Sequence, residues 1–376
     1  MLNLKQKAQE ILSLADIKIN GDNPWDIQVK NSGFYSRVLS GGSLALGESY
    51  MDGSWDCGKL DEFFYKILKS RLNEKVRGMK YFIPSLIKAK IINLQKKSRA
   101  YEVGKKHYDA GNELYKRMLD KKMNYSCGYW RNTKDLDQAQ VAKLDLICRK
   151  VGLKPGMKIL DIGCGWGSFA KYAAENYKVK VVGITISKEQ AKLARELCKG
   201  LGVEIRLKDY RDLVKQNEKF DAIISIGMFE HVGSKNYRTF MKVADKCLKD
   251  DGLFLLHTIG GNLSKNVTDP WITKYIFPNG QIPSASQIVD SYEGLFIMED
   301  WHNFGKDYDK TLMAWYNNFN KNWEEIKKLG NYDERFYRMW KYYLLSSAGA
   351  FRARNLHLWQ IVFSKIGAEK EYKSIR

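Results

Sequence analysis

The chain has 376 residues, 44% of them apolar, which is enough for two or more domains with their own cores and excludes a disordered protein. Its formal net charge is +20, from 63 basic and 43 acidic residues, which favours an anionic partner without naming it. Cysteines 57, 127, 148, 164, 198 and 247 stand far apart with no C-x-x-C pair, so neither a disulfide framework nor a metal site is expected, and a reducing compartment is.

The first thirty residues lack a cationic start followed by an apolar core. No apolar run approaches the ~20 residues needed to cross a bilayer. A cytoplasmic protein is expected. Residues 1 to about 70 mix short helical and strand-like patterns around Gly41 and Gly42 and carry no catalytic pattern. They read as part of a small N-terminal accessory domain, placed at 1–85, followed by a basic linker at 86–106. From Lys66 to Lys106 there are thirteen Lys or Arg against two acids, Glu74 and Glu102, more than half the surplus charge. The same stretch holds Tyr81, Phe82, Ile83, Leu86, Ile87, Ile91, Ile92 and Leu94. A basic amphipathic stretch can lie on an anionic membrane, track a nucleic-acid backbone, or pack as a solvated connector. Charge alone does not choose among the three.

From about residue 107 to 376 the pattern is α/β. Residues 137–149 form an amphipathic helix with Val141, Leu144 and Ile147 on one face. Strands are expected at 158–161, 179–184, 203–207, 220–226 and 253–257, each followed by a helical pattern. That alternation predicts a parallel sheet covered on both faces. Ser187 is expected to cap a helix, with Gln190 completing a capping box.

The first of these strands runs into Asp161 and then Gly163, Gly165 and Gly167. Glycines there let the backbone approach a nucleotide-like ligand closely. The spacing G-x-G-x-G differs from the dinucleotide G-x-G-x-x-G and resembles the first motif of S-adenosylmethionine-dependent methyltransferases. In such sheets ligands sit beyond the carboxyl ends of the strands. Thr185 and Ser187, Asp209 and Tyr210, Glu230 and His231, and His257 and Ile259 all fall at those ends. Singly each reads as a loop residue or cap; together they favour a site. The second strand ends without the acid that dinucleotide enzymes use on ribose, so Thr185 and Gln190 inherit that work.

Nine stretches, in order from about 101 to 363, resemble the cyclopropane-fatty-acyl-phospholipid synthases. They include Asn124-Tyr-Ser-Cys-Gly-Tyr-Trp130, Ile159-Leu-Asp-Ile-Gly-Cys-Gly-Trp-Gly167, Gly227-Met-Phe-Glu-His-Val-Gly233, Leu256-His-Thr-Ile-Gly260, Asp307-Tyr-Asp-Lys-Thr-Leu-Met-Ala-Trp315 and Gly349-Ala-Phe-Arg-Ala-Arg354. The resemblance implies a Rossmann-like S-adenosylmethionine-dependent methyltransferase sheet with a smaller N-terminal accessory domain. It implies a reaction in which a cis acyl double bond attacks the sulfonium methyl, a cation forms on the other carbon, and proton loss closes a ring. It places Cys127, Glu230, His257, Ile259 and Tyr308 around a bound bicarbonate that serves as base. It places Tyr125, Ser126, Asp161, Gly163, Gly165, Gly167, Thr185, Gln190, Tyr210 and Arg211 around S-adenosylmethionine. Cys127 reads as a wall of the anion site, because a thiolate there would be alkylated. Where some relatives carry a Cys before Ala-Gly-Ala-Phe-Arg, this chain has Ser347. The implied partners are an anionic phospholipid bilayer with unsaturated acyl chains and a second copy of the chain, with no nucleic acid, and the implied location is the inner face of the membrane. Aromatic faces that could steady the cation include Trp271, Tyr275, Phe277, Tyr308 and Trp315. Competing readings are plain methyl transfer giving a branched chain, a methyltransferase acting on small molecules or RNA, and a silent lipid-binding protein.

Overall fold

The computed structural model describes residues 4–75, 111–265, 268–330, 332–369 and 371–376. The apolar set at 81–94 and the basic residues at 77–106 lie outside the described residues. A seven-stranded sheet organises the larger part of the chain, in the order β5-β4-β3-β6-β7-β9-β8. Its strands are β3 (Lys158–Ile162), β4 (Lys180–Thr185), β5 (Val203–Leu207), β6 (Phe220–Ile226), β7 (Leu248–Gly261), β8 (Phe296–Asn303) and β9 (Leu356–Lys365). The five strands from β5 to β7 run parallel, as their β-branched, continuously apolar runs predict.

Successive residues of β3 serve opposite faces. Ile159 packs with Leu144, Ile147 and Phe169 of the helices Leu136–Lys150 and Ser168–Tyr177. Leu160 packs on the other side with Phe240 and Ala244 of the helix Tyr237–Cys247 and with Ile288. The sheet is thus covered on both faces, and its carboxyl edge is left for a ligand.

Three expectations are corrected. The sheet is mostly, not wholly, parallel: β9 pairs antiparallel with both β7 and β8. β7 begins at Leu248, ahead of residue 253, across a register shift opposite Phe220 and Ala222. Gln190 does not complete a capping box. Its backbone N–H goes to the Ser187 hydroxyl at 3.3 Å, but its side-chain oxygen accepts from the Thr185 hydroxyl at 3.0 Å.

The N-terminal residues form short helices and a two-stranded antiparallel ribbon, β1 (Ile27–Val29) with β2 (Trp55–Cys57). The helical stretch Gly33–Met51 breaks at Gly42, whose φ of 58° is open to glycine without strain. Trp55, Tyr50 and Phe63 share one apolar core with Tyr115, Trp271, Trp315 and Tyr342. Two cross-connections fix this docking. Arg338 donates to the Tyr50 and Trp55 carbonyls at 2.6 and 2.9 Å. Arg352 reaches Asp61 at 2.7 Å, Glu62 at 2.5 Å and Asp309 at 3.0 Å. Among the described residues no helix is long and apolar enough to cross a membrane.

Candidate active site

The turn after β3 owes its shape to three glycines with positive φ: 87° at Gly163, 54° at Gly165 and 83° at Gly167. A Cβ on Gly163 would meet the Met228 Cβ at 2.7 Å, whereas one on Gly165 would point into open space. Gly163 and Gly165 line a cleft of about 200 Å³ at the carboxyl edge of the sheet. Gly167 does not. It starts the helix Ser168–Tyr177, and a Cβ there would sit 3.2 Å from both Ala194 and the Cys198 Sγ.

Of the residues expected around the methyl donor, Tyr125, Ser126, Asp161, Thr185, Gln190, Tyr210 and Arg211 all line the cleft. Thr185 and Gln190 hold each other through the bond already described, so the missing acid is replaced by a neutral pair. Arg211 is tied to Asp209 at 2.7 Å and lies 5.2 Å over the Tyr210 ring, giving that wall a flat, cationic face. Asp161 is 1% exposed and its Oδ2 has no hydrogen-bond partner among the described residues. Burial lifts its carboxyl to about 7, with Lys143 nearby pulling it back.

Sequence reasoning missed Lys143. It is 1% exposed, lines the cleft, and donates to the Asn124 Oδ1 at 2.9 Å and the Ser126 Oγ at 3.1 Å. A lysine beside Val141 on an amphipathic helix reads as a solvated side chain; only the return of the 124–127 segment over the helix buries it. His231 also lines the cleft, and burial drops its pKa to about 4, so it is neutral.

None of the second expected set lines the cleft, although Cys127 and Glu230 adjoin in sequence Ser126 and His231, which do. Glu230 accepts the Ile259 N–H on Oε1 at 2.6 Å, and its Oε2 has no partner among the described residues. Burial raises its pKa to about 7, against the pull of that N–H. The Ile259 N–H is therefore already engaged, and the Thr258 hydroxyl turns to the Ile259 carbonyl at 3.1 Å. His257, two residues earlier on the same face of β7, meets Gln360 through Nδ1 at 3.3 Å. Its Nε2 is unpartnered among the described residues, and burial drives its pKa well below the usual value. Cys127 is fully buried, its thiol donates to the Gly128 carbonyl at 3.1 Å, and burial pushes its pKa far up, so it is no thiolate. Tyr308 is buried near Tyr343, Cys127 and Glu230, and burial holds it protonated.

Aromatic rings lead from the first set toward the second. Trp315 lies between Tyr125 at 5.1 Å and Tyr308 at 5.9 Å. Phe277 stands 5.7 Å from Tyr343, whose hydroxyl is 3.0 Å from that of Tyr125. Trp271 and Tyr275 face elsewhere: Trp271 packs on Tyr342 at 4.5 Å, and the Tyr275 hydroxyl donates to Glu48.

Known proteins resemble this chain in sequence and fold. A family model described as mycolic acid cyclopropane synthetase matches residues 95–361. The cyclopropane-fatty-acyl-phospholipid synthase of Escherichia coli (strain K12) is 57% identical over 95% of this chain and 92% of its own. A cyclopropane synthase structure from Mycobacterium tuberculosis superposes with a TM-score of 0.65 at 32% identity, over 70% of this chain and 98% of that one. A mycolic acid cyclopropane synthase complexed with SAH and CTAB gives 0.64 at 33% identity, again over 70% and 98%. With a glycine turn and this degree of likeness over nearly its whole length, the chain belongs to the cyclopropane-fatty-acyl-phospholipid synthase family of S-adenosylmethionine-dependent methyltransferases.

Proposed function

We propose that the protein transfers the methyl carbon of S-adenosylmethionine to a cis double bond in an acyl chain of a membrane phospholipid and closes a cyclopropane ring. The observation that carries this reading is the run of aromatic side chains Tyr125, Phe277, Trp315, Tyr308 and Tyr343, which leads from the glycine-turn cleft that Tyr125 lines toward the buried polar cluster. An alkene is a weak nucleophile, so donor and olefin need close, aligned placement in a dry site. The sulfonium sulfur keeps the electron pair of the broken bond and leaves as S-adenosylhomocysteine, while positive charge falls on the second olefin carbon. Ring faces stabilise that charge without bonding to it. Cys127, held as a neutral thiol, does not trap it.

The methyl proton then has to leave. Glu230 with Oε2 free, neutral His257 with Nε2 free and the Tyr308 hydroxyl provide three uncommitted polar groups suited to a small oxyanion. A bicarbonate bound by these groups beside Cys127 and Ile259 supplies a base there. The Ile259 N–H reaches such an ion only through Glu230, which it already holds. His257 and Glu230 line a path for the proton toward the interior of the cluster. The proposed partner surface is an anionic bilayer with unsaturated acyl chains, approached from its cytoplasmic face by the basic N-terminal part, with a second copy of the chain completing a homodimer.

Mass spectrometry of unsaturated phospholipid vesicles incubated with the protein and S-adenosylmethionine tests the reading. The expected product gains one CH₂ and loses its alkene reactivity. A product that gains a methyl branch and keeps an alkene replaces ring closure, and no lipid product removes the proposal.

A further inference from the structure

The donor carries three charges: a sulfonium, an ammonium and one carboxylate. Its cleft holds two buried ionisable side chains of opposite sign whose bonding is incomplete. Asp161 presents an unpartnered Oδ2, suited to a cation. Lys143, at 1% exposure, lines the same cleft.

The surroundings of Lys143 fix what it offers. Asp120 takes the Asn124 backbone N–H at 2.7 Å and its side-chain Nδ2 at 2.8 Å. The Asn124 amide is therefore oriented with Oδ1 toward Lys143, which donates to it at 2.9 Å. A second ammonium proton goes to the Ser126 Oγ at 3.1 Å. Because that oxygen accepts from a cation, the Ser126 hydroxyl proton is released to donate, and Ser126 lines the cleft. An ammonium has three protons, and these two contacts use two of them. Among the described residues no carboxylate lies within ion-pair distance of Lys143; Asp120 and Asp161 act on it only at longer range. A buried cation facing a sulfonium ligand is repulsive unless an anion stands between them.

We propose that Lys143 and the Ser126 hydroxyl form the subsite for the donor's α-carboxylate, and that Asp161 takes the α-ammonium. The inference rests on placing the donor in this cleft. Lys143 does not touch the reacting carbon; it fixes the amino-acid end, and so the direction in which the sulfonium methyl points. Burial lowers Lys143 to about 8 against the fields of Asp120 first and Asp161 last, and raises Asp161 to about 7 against the field of Lys143.

Calorimetric binding of S-adenosylhomocysteine and of its decarboxylated analogue, which keeps the ammonium, separates this from a structural role. In Lys143→Met the affinity for S-adenosylhomocysteine falls roughly tenfold or more, while the analogue changes by less than about twofold. Ser126→Ala shifts the same ratio in the same direction and covers the case in which the lysine variant does not fold. Equal losses for both ligands, or a wild-type protein that binds them equally, overturn the subsite. Gln190→Ala checks the placement, since it weakens both ligands alike; unchanged binding there takes the donor out of the cleft and the subsite with it.

Discussion

Glu230 keeps one oxygen on the Ile259 N–H and the other bare, and Asp161 keeps a bare oxygen at the donor cleft, so both acids hold their protons more tightly folded than unfolded. Their pKa values rise from 4.5 and 3.8 to about 7. The sign follows. Stability from each is complete below the unfolded value and is lost as pH rises through about 7, because the folded state then has to ionise a buried, unpaired carboxyl. The ligand-free protein should lose thermal stability between acidic and mildly alkaline pH, and Glu230→Gln or Asp161→Asn should flatten that fall. Melting curves across the range check this, and a fall as steep in both variants as in the parent would discount these groups. In catalysis, Glu230→Gln should cut turnover roughly 10²–10⁴-fold while S-adenosylhomocysteine affinity stays within about twofold, the split expected of a group that moves protons. Residue identity was legible where backbone geometry demands a type, as at Gly163 and Gly165. It was not legible at Lys143, because burial of a charge on a helix depends on a segment seventeen to nineteen residues earlier in the chain.

At the level of elements, the parallel strands could be read because each continuous apolar run alternates with a helical pattern. β8 and β9 escaped that reading. They join antiparallel at the edge with the long helical insertion Lys306–Lys321 and Glu334–Arg352 between them, so neither shows the strand–helix rhythm. The same insertion carries Tyr308 and Trp315, which the sequence offered singly, and Tyr343, which it did not. Its second helix also crosses Leu60–Lys69 at near contact. A Cβ on Gly349 would lie 2.7 Å from the Asp61 carbonyl oxygen and 2.8 Å from the Phe64 Cβ. Gly349→Val should cost about 2 kcal/mol or more through overpacking. Chemical denaturation measures it, and an unchanged midpoint would mean the crossing opens freely.

For the whole molecule the net charge of +20 is the property that composition states most plainly and the described residues explain least. Of the basic cluster beginning at Lys66, Lys66 itself is already taken, bonded to Asp16 at 2.8 Å and lying 4.4 Å over the Trp25 ring. The proposed attraction to a bilayer then falls to the residues beyond it. Replacing Lys96, Lys97 and Arg99 with Gln should weaken binding to anionic vesicles most at low ionic strength, where screening is weakest. Cosedimentation at several salt concentrations reads this out, and equal binding at every concentration would move the contact to another face.

Gly47 lies flush against the Trp271 indole, with an added Cβ only 2.4 Å from that ring. Trp271 in turn begins the stretch that ends at Phe277, a wall of the aromatic layer. Residues 4–75 are therefore masonry for that wall. A shortened version would strand Trp271 and Tyr342 in water, and its failure to act would say nothing about lipid contact.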